Sequence, residues 1–326
     1  MTTKFAKRLA AIGIFTTAVA LSVAGCASGG ASPEGSAGGD ESYDIGVLVF
    51  DTTVPYMTPM VAGEKQAAED LGVTVDVQNG QGDLAQQIAI IQQFVAQGKD
   101  ALVVTTSDGV GIVPALQAAH EAGIPVIANN TVIEDDKVIT YVGSDNVTFG
   151  KTMADAVCEE LGGKGKIAVI LGILGSSPQL DRQTGLNDGI KEKCPDVEIL
   201  AEQTANWDNA QALTVGQDFL NRFGPGEIDM IVDQGPEGIA PAQWAHENGR
   251  DDVKWIVGDI PKAVAPGIES GLIDVAIWQD PYEQGYKSVE DAVNWLRGDK
   301  DKVPQPRDYS KNEIITKDDL GDIEPY

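Results

Sequence analysis

The 326-residue sequence predicts an α/β protein of two doubly wound parallel-sheet domains. Three observations carry this. The chain is longer than one compact core usually holds, so two domains of roughly 100–150 residues are expected. From residue 44 onward apolar, β-branched runs alternate with amphipathic segments, and near residue 145 the alternation restarts. Strands apolar on both faces with helices between them require a parallel sheet covered on both sides.

The first series opens with strand "DIGVLVF", a helix over 60–71 and strand "VTVDV". A helix over 83–97 follows, with Asp83 as N-cap and Ile88, Ile91 and Val95 as its apolar stripe. Strand "ALVVTT", a helix over 112–122 and strand "IPVIAN" complete it. After "VITYVGSDN" come a helix over 148–161, strand "KIAVILG", a helix over 182–193 and strand "VEILAE". A helix over 210–223, strand "DMIVDQ", a helix over 240–248 and strands "VKWIVGD" and "IDVAIWQ" close the second series. Two doubly wound sheets bind ligands beyond the C-terminal ends of their strands.

The first 25 residues read as an export leader. Lys4, Lys7 and Arg8 precede an apolar run over 9–23, too short to span a bilayer with its own flanks. "VAGC" matches the bacterial lipobox, which makes Cys26 the lipidated N-terminus and the outer face of the cytoplasmic membrane the address; an ordinary leader with an incidental cysteine is the alternative. Residues 26–42, Gly/Ser-rich, read as a flexible tether.

The net charge is −27, and losing the leader's cations makes it more negative. Such a field repels phosphate backbones, so no nucleic-acid partner is expected; a solubilising acidic surface accounts for most of it. With two histidines and no CxxC or HExxH, no metal site is expected. Cys158 and Cys194 are either a disulfide, as an oxidising compartment permits, or two buried thiols. No GxSxG elbow, Walker loop or GxGxxG appears, and "GGKGK" precedes a strand and reads as a turn, so neither catalysis nor a cofactor is expected.

The strand ends carry amides, carboxylates and aromatics, and cations are absent from the candidate set. Amides and carboxylates satisfy hydroxyls that both donate and accept, and an aromatic ring lies against the C–H face of a sugar. Asn129, Asn130, Asp259 and Gln279 supply the first kind of group; Tyr56 and Trp207 supply the second. Each has a plainer alternative: turn residues for the asparagines, a helix N-cap for Asp259, core packing for Trp207.

"IGVLVFDTTVPYMTPMVAGEKQAAEDLGV", "QQFVAQGKDALVVTTSDGVGIVPALQAAHEAGIPVI", "VGSDNVTFGK" and "GLIDVAIWQDPYEQGYKSVEDAV" resemble, in order and spacing, the ribose/galactose-type periplasmic sugar-binding proteins of ABC importers. The resemblance spans about residues 43–318. It implies a periplasmic-binding-protein type I fold, with three hinge crossovers and the ligand in the cleft between lobes. One lobe is then 43–144 plus 280–308, and the other 145–279 plus 309–326. Family binding positions fall on Tyr56, Asn130, Thr131, Leu180, Trp207, Gly235, Asp259 and Gln279. Ribose-binding members carry an Asp-Arg pair at Asn130-Thr131, an Arg at Leu180 and an Asn at Gly235, so ribose itself is not expected; Gln179 or Asp181 is the candidate substitute for the Arg. The expectation is a lipid-anchored monomer that delivers a small neutral sugar or polyol to ABC permease subunits. A sensor presenting such a ligand to a kinase or chemoreceptor is the alternative. DNA-binding repressors share the architecture, but they begin with a helix-turn-helix module and this chain with a lipobox.

Overall fold

The computed structural model describes residues 42–326. The leader, Cys26 and all but the last residue of the tether lie outside the described residues. The first series is β1 (Asp44–Val49), α1 (Met57–Leu71), β2 (Thr74–Asn79), α2 (Leu84–Gln97), β3 (Ala101–Val104), α3 (Val113–Glu121), β4 (Val126–Asn129) and β5 (Thr140–Ser144). The second is α4 (Asn146–Glu160), β6 (Lys164–Leu171), α5 (Ser177–Lys193), β7 (Asp196–Thr204), α6 (Asn209–Arg222), β8 (Met230–Asp233), α7 (Ile239–Glu247), β9 (Lys254–Gly258), α8 (Ala265–Ser270) and β10 (Val275–Trp278). Helix α9 (Pro281–Arg297) and strands β11 (Arg307–Ser310) and β12 (Glu313–Ile315) follow.

The strands form two six-stranded sheets, ordered β11-β5-β4-β3-β1-β2 and β12-β10-β9-β8-β6-β7. Every pairing is parallel except β10 with β12. The chain passes from one sheet system to the other after β5, after β10 and after β11. Strand β11 runs to Ser310, two residues past the expected lobe boundary at 308. Central strands such as β3 and β8 are buried at every position, as sheets covered on both faces require.

Asp83 caps α2, accepting from Gln86 N at 2.8 Å. The buried stripe of this helix is Gln87, Ile90, Ile91 and Phe94, with Ile88 and Val95 only flanking it. Thr106 Oγ1 donates to Gln87 Oε1 at 2.7 Å, which lets a polar residue occupy the centre of that face. Cys158 and Cys194 are joined in a disulfide between α4 and the end of α5.

One helix pair in each sheet system meets backbone to backbone. In the first, a Cβ on Gly63 of α1 would lie 2.1 Å from Tyr282 O of α9, and one on Gly285 of α9 would lie 2.0 Å from Met60 O. In the second, a Cβ on Gly150 of α4 would lie 2.1 Å from Arg182 O of α5, and one on Gly185 would lie 2.1 Å from Val147 O. The sequence predicts α5 only from residue 182 and does not mark out α9. In fact Pro178 stands in the first turn of α5, where a missing N–H costs nothing, and this brings Arg182 one turn into the helix.

Candidate ligand-binding site

A cavity of about 490 Å³, open solvent at its mouth included, lies between the two sheet systems at the C-terminal ends of their strands. Tyr56, Asn130, Arg182, Trp207, Glu237, Asp259 and Gln279 line it, with Phe50, Val54, Met57 and three prolines. Among the described residues five non-glycine residues have positive φ, and three of them, Asn130, Trp207 and Asp259, line this cavity. A tryptophan at φ 54° is a costly conformation, and such strain concentrates where side chains are aimed for function.

Asn130 and Asp259 hold matching places. Each follows its strand, β4 or β9, in a left-handed turn (φ 62° and 64°), and each backbone N–H donates to a neighbouring strand, to Val142 O and Ile277 O at 2.8 Å. Asn130 therefore serves both turn and cavity. Asn129 serves neither: it ends β4 fully buried, its Nδ2 donating to Glu64 Oε1 at 3.3 Å and Ser288 Oγ at 3.4 Å. The side chain of a strand residue alternates faces with its neighbour, which turns Asn129 into the core of its own sheet.

Arg182 corrects the expectation that cations are absent. Leu180 is half exposed and does not line the cavity; Arg182, two residues on, does, and is 4% exposed. Its Nε donates to Asn146 Oδ1 at 2.9 Å and its Nη1 to Gln234 O at 2.6 Å, and the guanidinium lies 3.8 Å over the Phe149 ring. Asp259 Oδ2 stands 3.9 Å from Nη1. Burial pushes the Asp259 carboxyl up to about 6, against the pull of Arg182 and a hydrogen bond from Gln279. Neither Gln179 nor Asp181 lines the cavity.

Trp207 is seated between glycines. A Cβ on Gly172 would lie 2.3 Å from the indole ring, and one on Gly235 would lie 2.7 Å from Trp207 Cδ1 and 2.2 Å from Glu237 Oε2. Gly235 is thus a support for the ring and leaves the lining to its neighbours Pro236 and Glu237. Glu237 was not singled out by sequence reasoning, although it lies in the segment after β8; its 5% exposure depends on tertiary packing. Burial pushes it up to about 8, and behind it burial and the Glu237 charge push Asp233 well above the carboxylate range.

Tyr56 and Gln279 meet at one amide. Gln284 of α9, fully buried, accepts from Tyr56 Oη at 2.9 Å and from Asn130 Nδ2 at 3.4 Å. Its Nε2 donates to Gln279 Oε1 at 3.1 Å and Ser310 Oγ at 2.9 Å, while Ser144 Oγ also donates to Gln279 Oε1. Ser144, Gln279 and Ser310 stand at the three passages between the sheet systems, so cavity-lining side chains and passages share one network. Among the described residues no group of three or more His, Cys, Asp or Glu side chains is placed to hold a metal ion, and no helix is long and apolar enough to cross a membrane.

Two α/β lobes with a cavity at their strand ends, walled by aromatic and apolar side chains among a few amides and charged groups, define a solute-binding protein. The chain belongs to the periplasmic binding protein domain family, which it matches over residues 45–300. It is 30% identical over 256 residues, 78% of this chain and 69% of the relative, to the xylitol-binding protein of Mycolicibacterium smegmatis. Among solved structures it resembles the Caulobacter myo-inositol binding protein bound to myo-inositol (TM-score 0.80, 27% identity, 88% of this chain and 98% of that one). It also resembles an ABC transporter periplasmic solute binding protein from Actinobacillus succinogenes with bound D-allose (TM-score 0.77, 26% identity, 86% and 100%). The fold is the two-lobed type I architecture expected from the sequence, and this family consists of binding proteins, not enzymes.

Proposed function

We propose that the protein is the substrate-binding component of an ABC importer and captures a monosaccharide or polyol in this cleft. The observation that carries the reading is the cavity wall: Arg182, Asn130, Asp259 and Gln279 offer donors and acceptors, and Tyr56, Phe50 and Trp207 offer ring surface. That combination suits a ring or chain of hydroxyls with an apolar C–H face, and relatives named for xylitol, myo-inositol and D-allose agree with it. The proposal extends to capture by closure of lobes 43–144 plus 280–308 and 145–279 plus 309–326 about the three passages, by a monomer anchored through lipidated Cys26.

Calorimetric titration with pentoses, hexoses, pentitols and inositols tests this. Micromolar affinity corresponds to about −8 kcal/mol. At least one of these ligands should reach it, and Trp207→Ala should weaken binding by about tenfold or more. No binding across the panel overturns the reading. A Cys26→Ala chain that still partitions with membranes and still takes up radiolabelled palmitate overturns the anchor.

A further inference from the structure

Carboxyl groups outnumber basic groups at the cavity. Glu237 and Asp259 line it, Asp233 stands directly behind, and Arg182 is the one cation among the described lining residues. Two carboxylate oxygens of the lining, Glu237 Oε2 and Asp259 Oδ1, are buried without a hydrogen-bond partner, on side chains each 5% exposed. Arg182 is already engaged by Asn146 and Gln234, so its bonds do not satisfy them. A buried, unpartnered carboxylate oxygen is costly unless a ligand supplies the missing donor. A hydroxyl brings one proton and no charge, and an ammonium brings three protons, no acceptor and a compensating charge.

The position of Glu237 Oε2 adds to this. The point where Gly235 would carry a Cβ is 2.2 Å from that oxygen and 3.1 Å from Trp207 Nε1, so the carboxylate and the N–H edge of the indole are neighbours beside Gly235.

We propose that the ligand is an amino-substituted sugar or cyclitol whose ammonium group is held by Glu237 and Asp259, while Arg182 and Asn130 take its hydroxyls. This rests on the reading of the cleft as a carbohydrate site. Burial holds Glu237 largely protonated at neutral pH, with Asp259 and Asp208 disfavouring its charge and Arg182 favouring it. An entering cation reverses that balance, so Glu237 gives up its proton as the amine binds.

The test titrates the purified protein with matched pairs: glucosamine and glucose, galactosamine and galactose, an aminocyclitol and myo-inositol. In at least one pair the amine should bind about tenfold tighter or better, a difference of about 1.4 kcal/mol. Glu237→Gln should weaken the amine about tenfold more than it weakens the hydroxyl partner, so that the preference is lost. Calorimetry at neutral pH in buffers of different ionisation enthalpy should register proton release with the amine and none with its partner. If wild-type protein binds the hydroxyl member of every pair as tightly as the amine, the amine is overturned and the carbohydrate reading stands. If no member of any pair binds, and no pentose or pentitol does either, both fall.

Discussion

Replacing Arg182 with lysine keeps the charge and removes the geometry. The guanidinium donates at once to Asn146 Oδ1 (2.9 Å) and Gln234 O (2.6 Å) while lying flat on Phe149 (3.8 Å). A lysine ammonium is a point donor without a flat face, so it recovers at most one of these bonds. The other leaves a buried acceptor unsatisfied, and hydrogen bonds to charged groups contribute about 1.5–3 kcal/mol each. Arg182 is 4% exposed, so solvent does not make up the loss. Arg182→Lys should therefore destabilise the empty protein by about 2–4 kcal/mol, a fall in Tm of roughly 5–12 °C for a domain of this size. Affinity for the ligand identified by titration should fall by about 10–100-fold, because a lysine ammonium does not keep the guanidinium's remaining N–H donors fixed at the cavity wall. Differential scanning fluorimetry and calorimetric titration read the two effects separately. A variant that melts within about 2 °C of the parent and binds within about twofold would refute the assignment of Arg182 to the site.

Gly172→Ala places a methyl group 2.3 Å from the Trp207 indole, so the ring must tilt; binding should weaken by about tenfold while the melt shifts by only about 1–3 kcal/mol equivalent. Burial holds Glu64 at about 8 in the folded state, above its ordinary value of 4.5. Its contribution is therefore fully present below pH 4.5 and is lost as pH rises through 8, with a slope of at most about 1.4 kcal/mol per pH unit. Urea midpoints should show Glu64→Gln gaining on the parent between pH 5 and 8, and parallel curves would count against a buried neutral acid. The disulfide spans 36 residues, so Cys158→Ser should lower stability by about 4 kcal/mol under oxidising conditions and change nothing once a reductant is present.

Periodicity carried most of the fold. Strands buried on both faces read as apolar runs, and Asp83 announced the start of α2 by its residue type alone. The start of α5 was misread because "SSPQLD" lacks apolar periodicity, although Pro178 is a first-turn signal. The expected start at 182 lies five residues beyond Ser177, and the resemblance puts the family's Arg position on Leu180, so the expected cleft carries no cation. Helix α9 carried its signals too, with Asp280 as N-cap, Pro281 in the first turn and Gly298 at the C-cap, yet "QDP" reads equally as a chain leaving a strand. Asn129 and Asn130, alike in the sequence, part company, since only the register of β4 decides which of two identical amides faces the core. Glu237 stands among the residues past a strand end where a site is expected, but its burial is not written there. Nothing local distinguishes it from a solvated carboxylate; its surroundings include Trp207 and Asp259, which lie at other points along the chain.

Helix α9 also bears on the order in which the chain can fold. It belongs to the first sheet system, where it meets α1 backbone to backbone, but it is made after the whole second series. The first sheet likewise gains its outer strand, β11, some 160 residues after β5. A nascent chain carrying residues 42–279 thus has α1 without its cover and Tyr56 and Asn130 without Gln284. Contacts of such sequence separation close late. The half of the molecule that is synthesised first is therefore the half that is completed last, and the binding cleft exists only once the two ends of the fold have met.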